Sequence, residues 1–129
     1  TINQSIIMDK ETKNRLALEL FNGAKSGGIT LTRDGVPVKK GYSVAVSTDD
    51  TTCCSGSDQE ILDCIIGFVD RISDKSDNNN VGIWYDEKEN VYVLDLCRNV
   101  NTQRTATLIG WLFNQKAIYN HNKKEEVFI

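Results

Sequence analysis

The sequence predicts a single α+β domain over residues 1–129, and three observations lead to that prediction. Short segments rich in β-branched residues come in pairs separated by polar turns, as β-hairpins do. Three longer segments repeat apolar residues at helical spacing. With 40% hydrophobic and 26% charged residues, the chain has an ordinary globular composition and room for one core. The predicted order is α-β-β-α-β-β-α-β, a mostly antiparallel sheet of hairpins packed with three helices.

The first third of the chain predicts one helix and two strands after an extended lead-in at residues 1–8. Asp9 can cap the helix at residues 10–24, whose apolar residues recur at i, i+3, i+4 and i+7. A Gly-Gly pair then ends the helix. The β-branched segment 29–32 and the alternating segment 42–47 are predicted strands, with an Asp-Gly turn between them.

The middle of the chain predicts a loop followed by a second amphipathic helix. Residues 48–57 are small and polar, which is typical of a loop. Ser57 and Glu60 have the spacing of a capping box, and the helix then runs to about residue 73. Residues 74–80 are rich in Asn and Asp and predict another loop.

A hairpin with strands at 81–86 and 91–100 is the predicted centre of the fold. Along the second strand both alternating sets of side chains are largely apolar. A strand that is apolar on both faces is typical of a central strand covered on both sides. We therefore expect helices to pack on both faces of this hairpin.

The last part of the chain predicts a third helix and two short strands. The helix spans residues 102–116, and helical spacing directs four residues inward: Thr105, Ile109, Leu112 and Phe113. The strands are predicted at 117–119 and 125–129, on either side of a polar turn.

Charge and hydropathy exclude some classes of protein. The net charge of −3 is small, and the basic residues form no stripe of the kind that nucleic-acid binders carry. No apolar run approaches the roughly 18 residues that cross a bilayer. The first residues lack the pattern of a signal peptide, so we expect a cytoplasmic protein without membrane contact.

The four cysteines predict free thiols. A cytoplasmic chain of this size does not need disulfides, and Cys64 and Cys97 lie at core positions. Adjacent Cys53 and Cys54 lack the two- to four-residue spacing of paired zinc ligands, and His121 lies in a polar turn. We expect no metal site and no cofactor.

Asp95 is the one carboxylate that interrupts an apolar strand. A charge in such a position needs a hydrogen-bond donor or a cation. The structural interpretation is a contact with backbone amides or with a Tyr or Trp proton of a neighbouring helix. The functional interpretation is an acid or base in a pocket with a second titratable side chain.

The large amphipathic rings of the chain are Tyr42, Trp84, Tyr85 and Trp111. Three of these rings and three acidic turn residues form the candidate partner-binding patch. Such rings more often close a core with the polar atom at its edge. On a surface they suit a protein interface or stacking with a single-stranded nucleic acid. The candidate residues are Tyr42, Trp84, Tyr85, Asp86, Glu87 and Glu89.

Six short motifs lie along the chain from residue 27 onward. They are Gly27-Gly28-Ile29-Thr30, Pro37, Gly41-Tyr42-Ser43-Val44, Gly82-Ile83-Trp84, Tyr92-Val93-Leu94-Asp95 and Asn114-Gln115-Lys116-Ala117-Ile118-Tyr119. Through these motifs, about four-fifths of the chain resembles a group of small proteins of tailed phages and mobile elements. The closing motif is the most specific part of the resemblance.

The resemblance implies a mobile-element origin and an α+β fold, and it implies no assigned activity. Small phage proteins without catalytic motifs often bind a host protein, so the first hypothesis is a non-enzymatic inhibitor of a host factor. An anti-CRISPR or other anti-defence protein is one form of it. The second hypothesis is a nucleic-acid-associated protein that uses Tyr42, Trp84 and the pair Lys39-Lys40. The third is an enzyme that uses Asp95. Oligomeric state stays open.

Overall fold

The structure, a computed structural model, describes residues 8–46, 49–75 and 79–129. Within them it contains three helices and an antiparallel sheet of seven strands, which confirms the predicted α+β class. The helices are α1 (Lys10–Lys25), α2 (Asp58–Ile72) and α3 (Gln103–Leu112). The strands are β1 (Gly28–Leu31), β2 (Tyr42–Ala45), β3 (Thr52–Cys54), β4 (Asn80–Asp86), β5 (Val91–Val100), β6 (Ala117–Asn120) and β7 (Glu125–Phe128).

Some predicted segments fall partly outside the described residues. These are residues 1–7 of the lead-in, residue 47 of the second predicted strand, residue 48 of the loop that follows it, and residues 76–78 of the Asn/Asp-rich loop.

The β4–β5 hairpin is the centre of the sheet, as predicted. The strand order is β1-β4-β5-β2-β6-β7, and every paired neighbour is antiparallel. The hairpin register runs from Asp86 opposite Val91 to Asn80 opposite Cys97. All seven residues of β4 are therefore paired along β5.

β2 and β3 pair with the same edge of β5 and form one interrupted strand. β2 lies opposite residues 97–100 of β5, and β3 lies opposite residues 92–94. Between them, the Val46 N–H donates to the Leu96 carbonyl over 3.1 Å, and the chain then leaves the ladder beside Asp95. The prediction of an uninterrupted loop at 48–57 is wrong, because residues 52–54 form β3. The unpaired edge of β5 offers backbone hydrogen-bond partners to these three residues.

All three helices pack on one face of the sheet, which we call the helical face. Gly23 of α1 packs directly against Ile29, and Gly110 of α3 packs against Val44, so a Cβ added to either glycine would contact the sheet. A disulfide joins α2 to Cys54. Ile29, Val44 and Cys54 share their face with Leu94 and Leu96, by the register of the paired strands.

The prediction that helices cover both faces of β5 is wrong. Val93, Asp95 and Cys97 point to the other face, which we call the second face, because successive side chains of a strand alternate. Val93 and Cys97 are buried there without contact to the helical core cluster. The apolar residues of β5 on this face are therefore buried without a helix packed over them.

The two long helices begin where the sequence predicts. The Asp9 carboxylate accepts from the Thr12 N–H over 2.8 Å at the start of α1. Ser57 and Glu60 form the predicted capping box of α2, in which each side chain accepts from the other residue's backbone N–H.

The third helix is shorter than the predicted 102–116. Asn114 has a φ of 60°, in the left-handed region that ends helices. The Gln115 N–H then donates to the Gly110 carbonyl over 2.7 Å, which closes the last turn. Residues 114–116 consequently form a turn that directs the chain into β6.

Candidate partner-binding surface

Five of the six residues of the candidate patch lie at the turn end of the β4–β5 hairpin. The sixth, Tyr42, is opposite Val100 at the other end of β5, roughly 30 Å from Val91 at 3.3 Å per residue. Tyr42 is half-buried and packs against the core. The structure therefore separates Tyr42 from the rest of the patch.

The two aromatic residues of the hairpin point to opposite faces of the sheet. Trp84 lies on the second face and is 43% exposed, whereas Tyr85 lies on the helical face and is 38% exposed. The Tyr85 ring lies 5.1 Å from the Tyr92 ring, and its hydroxyl bonds to the Asn90 side chain. The predicted patch is thus split between two faces.

Asp86 shapes the hairpin turn. Its Oδ1 accepts from the backbone N–H groups of Lys88 and Glu89, over 3.1 and 3.2 Å. Asn90 follows with a φ of 55°. Glu87 and Glu89 are exposed on the turn. The acidic side chains that face solvent here belong to these two glutamates.

Asp95 is held by two side-chain donors, one on β4 and one on the residue that precedes β3. Its Oδ2 accepts from the Trp84 indole N–H over 3.1 Å, and its Oδ1 accepts from the Thr51 hydroxyl over 2.8 Å. The predicted Trp proton comes from β4 and not from a helix. Surface hollows of about 420 and 370 Å³ lie along α3 and between α1 and α2, with no contribution from Asp95.

Ser43 and His121 form a buried contact that sequence reasoning missed. The Ser43 hydroxyl and the His121 Nε2 are 2.7 Å apart, and the His121 ring meets the Tyr119 ring edge-on. Burial lowers the pKa of His121, which favours the neutral imidazole. A serine beside a neutral imidazole is the geometry of a nucleophile and its base. Here both side chains are buried, and the contact ties β2 to the β6–β7 turn.

The prediction of four free thiols is wrong for Cys54 and Cys64. Cys64, in α2, forms a disulfide with Cys54 in β3, with the two Cα atoms 5.9 Å apart. The two segments come within bonding reach because β3, absent from the sequence prediction, pairs with β5 under α2. Cys53 is a free, exposed thiol. Cys97 is a free, buried thiol, and burial raises its pKa well above the usual range.

The largest exposed apolar surface on a helix lies on α3. Leu108, Trp111 and Leu112 are 54%, 61% and 79% exposed. The hollow of about 420 Å³ runs along this surface and is lined by Gln103, Arg104, Thr107, Leu108 and Trp111. We call these five residues, together with Leu112, the outer face of α3. Contiguous exposed apolar residues of this kind mark interaction sites.

Small residues explain why the large apolar side chains of α3 face outward. Ala106 and Gly110, one helical turn apart, face the sheet and are buried. A Cβ on Gly110 would lie only 2.4 Å from Ile129 Cδ1 and 3.5 Å from Val44 Cγ2. The helix backbone therefore lies close to the sheet, which leaves no space beneath it for large side chains.

The predicted inward set of α3 is partly wrong. Ile109 and Phe113 pack against the core as predicted, whereas Thr105 and Leu112 are exposed. The buried direction is rotated from the predicted one by roughly 60°, at 100° per residue. Small residues spaced four apart were the signal that could have located the buried side.

No protein-family model matches the chain, and comparisons with curated proteins and with solved structures find no match. None of the helices in the described part of the chain is long and apolar enough to cross a membrane. In the same residues, no group of three or more His, Cys, Asp or Glu side chains is arranged to hold a metal ion.

Proposed function

We propose that this chain is a non-enzymatic binding protein of a phage or mobile element, and that it inhibits a host factor by covering part of its surface. The observation that carries the proposal is the outer face of α3, with three large apolar side chains more than half exposed. Burial of such residues is a main source of binding free energy in protein interfaces.

The environment of the candidate reactive groups supports binding over catalysis. Asp95 accepts hydrogen bonds from Trp84 and Thr51, and Ser43 bonds to His121 inside the protein. These groups tie strands to one another. Leu108, Trp111 and Leu112, in contrast, are more than half exposed and lie outside the core cluster.

The mobile-element origin rests on the motif resemblance, and the type of host factor follows from it. Small phage proteins without catalytic motifs often inhibit host defences, so a CRISPR effector or another defence protein is the proposed target. The partner site that we propose is α3, in place of the divided patch at the hairpin end.

Affinity capture tests this function. The tagged chain is incubated with lysate of the bacterial host, bound proteins are identified by mass spectrometry, and the purified partner's own activity is measured with and without the chain. We expect one host protein to be captured and inhibited. The variant Leu108→Ser/Trp111→Ser should lose both capture and inhibition.

Leu18→Ser is the matched control. Leu18 lies on α1 and is 54% exposed, the same exposed fraction as Leu108. This variant should capture the partner normally. Equal capture by the α3 variant would refute the proposed surface, and the absence of any specific partner would refute the binding function. A salt-dependent shift of labelled DNA or RNA would instead support the nucleic-acid hypothesis.

A further inference from the structure

The charges of the chain are segregated around α3. Residues 96–124 contain none of the 18 acidic residues and five of the 15 basic residues, although the whole chain has a net charge of −3. The five basic residues are Arg98, Arg104, Lys116, Lys123 and Lys124. α3 lies inside this acid-free segment, and its first turn holds no acidic residue. The segment that contains α3 therefore carries a net charge of +5, and α3 itself carries Arg104 and no acidic residue.

Arg104 places one of these charges directly beside the apolar residues. Arg104, Leu108 and Trp111 follow at i, i+4 and i+7, so they share one side of the helix and line the same hollow. Among the described residues, no carboxylate forms a salt bridge with Arg104. Its guanidinium is exposed and available to an anionic group of a partner.

We propose that the outer face of α3 binds an acidic amphipathic helix of the partner protein, an inference that rests on the proposed function. Apolar side chains of the partner helix pack between Leu108, Trp111 and Leu112, and its flanking carboxylates pair with Arg104. A helix is the fitting shape, because the backbone groups of α3 are already used within the helix and the surface consists of side-chain ridges. α3 is about 15 Å long, which matches three turns of a partner helix.

Charge argues against the other occupants. A second copy of α3 contains no carboxylate, so it would offer Arg104 no anionic partner. A nucleic acid would pair with the cations but would leave the aliphatic side chains of Leu108 and Leu112 without apolar contacts. An acidic amphipathic helix satisfies both features of the surface.

A synthetic peptide serves as the probe. It is an amphipathic helix with leucines at i, i+3, i+4 and i+7 and glutamates on both flanks. Two control peptides have the same leucines with lysine in place of glutamate, or the same composition in scrambled order. The chain has two tryptophans, so binding is followed by the two indole N–H resonances in a ¹H–¹⁵N spectrum, assigned with Trp111→Phe.

The acidic peptide should shift the Trp111 indole resonance and leave that of Trp84 unchanged. Leu108→Ser should weaken its binding by about tenfold, as for an anchor residue. Arg104→Glu should weaken it by about fivefold, the size of an exposed ion pair. Lys88→Glu, at the tip of the β4–β5 hairpin, is the matched control and should have no effect.

Three results would overturn the inference. Equal binding of the acidic and basic peptides would remove the role of charge. Concentration-dependent self-association that Leu108→Ser abolishes would assign the surface to a second copy. Displacement of the peptide by a DNA or RNA oligonucleotide that shifts the Trp111 resonance would assign it to nucleic acid.

Failure of this inference can be distinguished from failure of the proposed function. If a host protein is captured through α3 but the acidic peptide does not bind, the function stands and the partner chemistry is wrong. If the peptide binds but capture of the host protein does not depend on α3, the proposed function is wrong at this surface.

Discussion

The indole N–H of Trp84 donates to Oδ2 of Asp95 over 3.1 Å, diagonally across the β4–β5 hairpin. Asp95 lies opposite Gly82 in the hairpin register, so no side chain of β4 stands directly across from it. The other oxygen of the carboxylate accepts from Thr51, which precedes β3. One carboxylate thus connects three segments on the second face of the sheet at the point where β2 and β3 are interrupted.

Asp95→Ala tests whether this carboxylate stabilises the fold. The substitution removes two solvent-exposed hydrogen bonds, so the free energy of unfolding should fall by about 0.5–1.5 kcal/mol. Urea denaturation followed by tryptophan fluorescence measures it. Glu87→Ala, on the exposed turn, is the control and should change little. A double-mutant cycle with Trp84→Phe should show a coupling energy, and independent effects would contradict the contact.

Elements that carry their own local signals could be predicted from the sequence. α1 and α2 have a capping residue and a strong apolar period, and the central hairpin has alternation and a polar turn. β3 has no capping residue, no apolar period and no turn signal in its three residues. It forms only because β5 presents a free edge to it. Asp95 was predicted to need a donor, but Thr51 and Trp84 are brought to it only by the folded sheet.

Gly110→Ala tests the close packing of α3. An added Cβ would lie 2.4 Å from Ile129 Cδ1, the far end of a flexible side chain, so the Ile129 side chain must rotate away from α3. The packing lost at Ile129 offsets the gain in helix propensity, so we expect the free energy of unfolding to change by less than about 1 kcal/mol. Chemical denaturation of the variant and the wild type provides the measurement.

Gly67→Ala in α2 is the matched control for this substitution. Its added Cβ meets only the flexible end of Arg71, at 3.6 Å. Alanine favours a helix over glycine, so this variant should gain about 0.5–1 kcal/mol. Equal stabilisation by both substitutions would show that α3 does not pack closely on Val44 and Ile129 at Gly110.

The outer face of α3 escaped prediction for a physical reason. Periodicity assigns large apolar residues to the core, and it directed Leu112 inward. The distance between the helix and the sheet gives the opposite orientation. Ala106 and Gly110 allow the helix backbone to approach the sheet, which leaves no room beneath it for larger side chains. An exposed apolar face can thus be hidden in a sequence whose helix has enough hydrophobic residues for either orientation.

The thiols of the chain should react in a fixed order. Cys53 is exposed, whereas Cys97 is buried with a raised pKa, so a thiol reagent should label one cysteine in the native protein and two after unfolding. All four cysteines should react only after reduction of the Cys54–Cys64 disulfide. Labelling followed by mass spectrometry counts them. Two labelled thiols in the native protein would contradict the burial of Cys97.

Reduction of the disulfide should destabilise the protein. The cross-link joins cysteines separated by ten residues. Closing a loop of this size lowers the entropy of the unfolded chain and so raises its free energy by about 3 kcal/mol. Thermal unfolding with and without a reducing agent should show a lower melting temperature after reduction. Cys54→Ala/Cys64→Ala should have the same low stability in both conditions. A shift in this variant would mean that the reductant acts elsewhere.

The single histidine predicts a distinct pH dependence of stability. Burial lowers the pKa of His121 below 6.5, so the unfolded chain binds a proton at higher pH than the folded protein does. Stability is therefore full above pH 6.5 and is lost as pH falls below it, by at most ~1.4 kcal/mol per pH unit. Asp9, Asp34 and Glu60 have pKa values lowered from 3.8, 3.8 and 4.5, so their contributions are lost only at lower pH.

Urea denaturation between pH 5.5 and 7.5 isolates the contribution of the histidine. His121→Gln should be less stable at pH 7.5, because it disturbs the contact with Ser43, but its stability should not vary across this range. The same slope in both proteins would assign the pH dependence to another group.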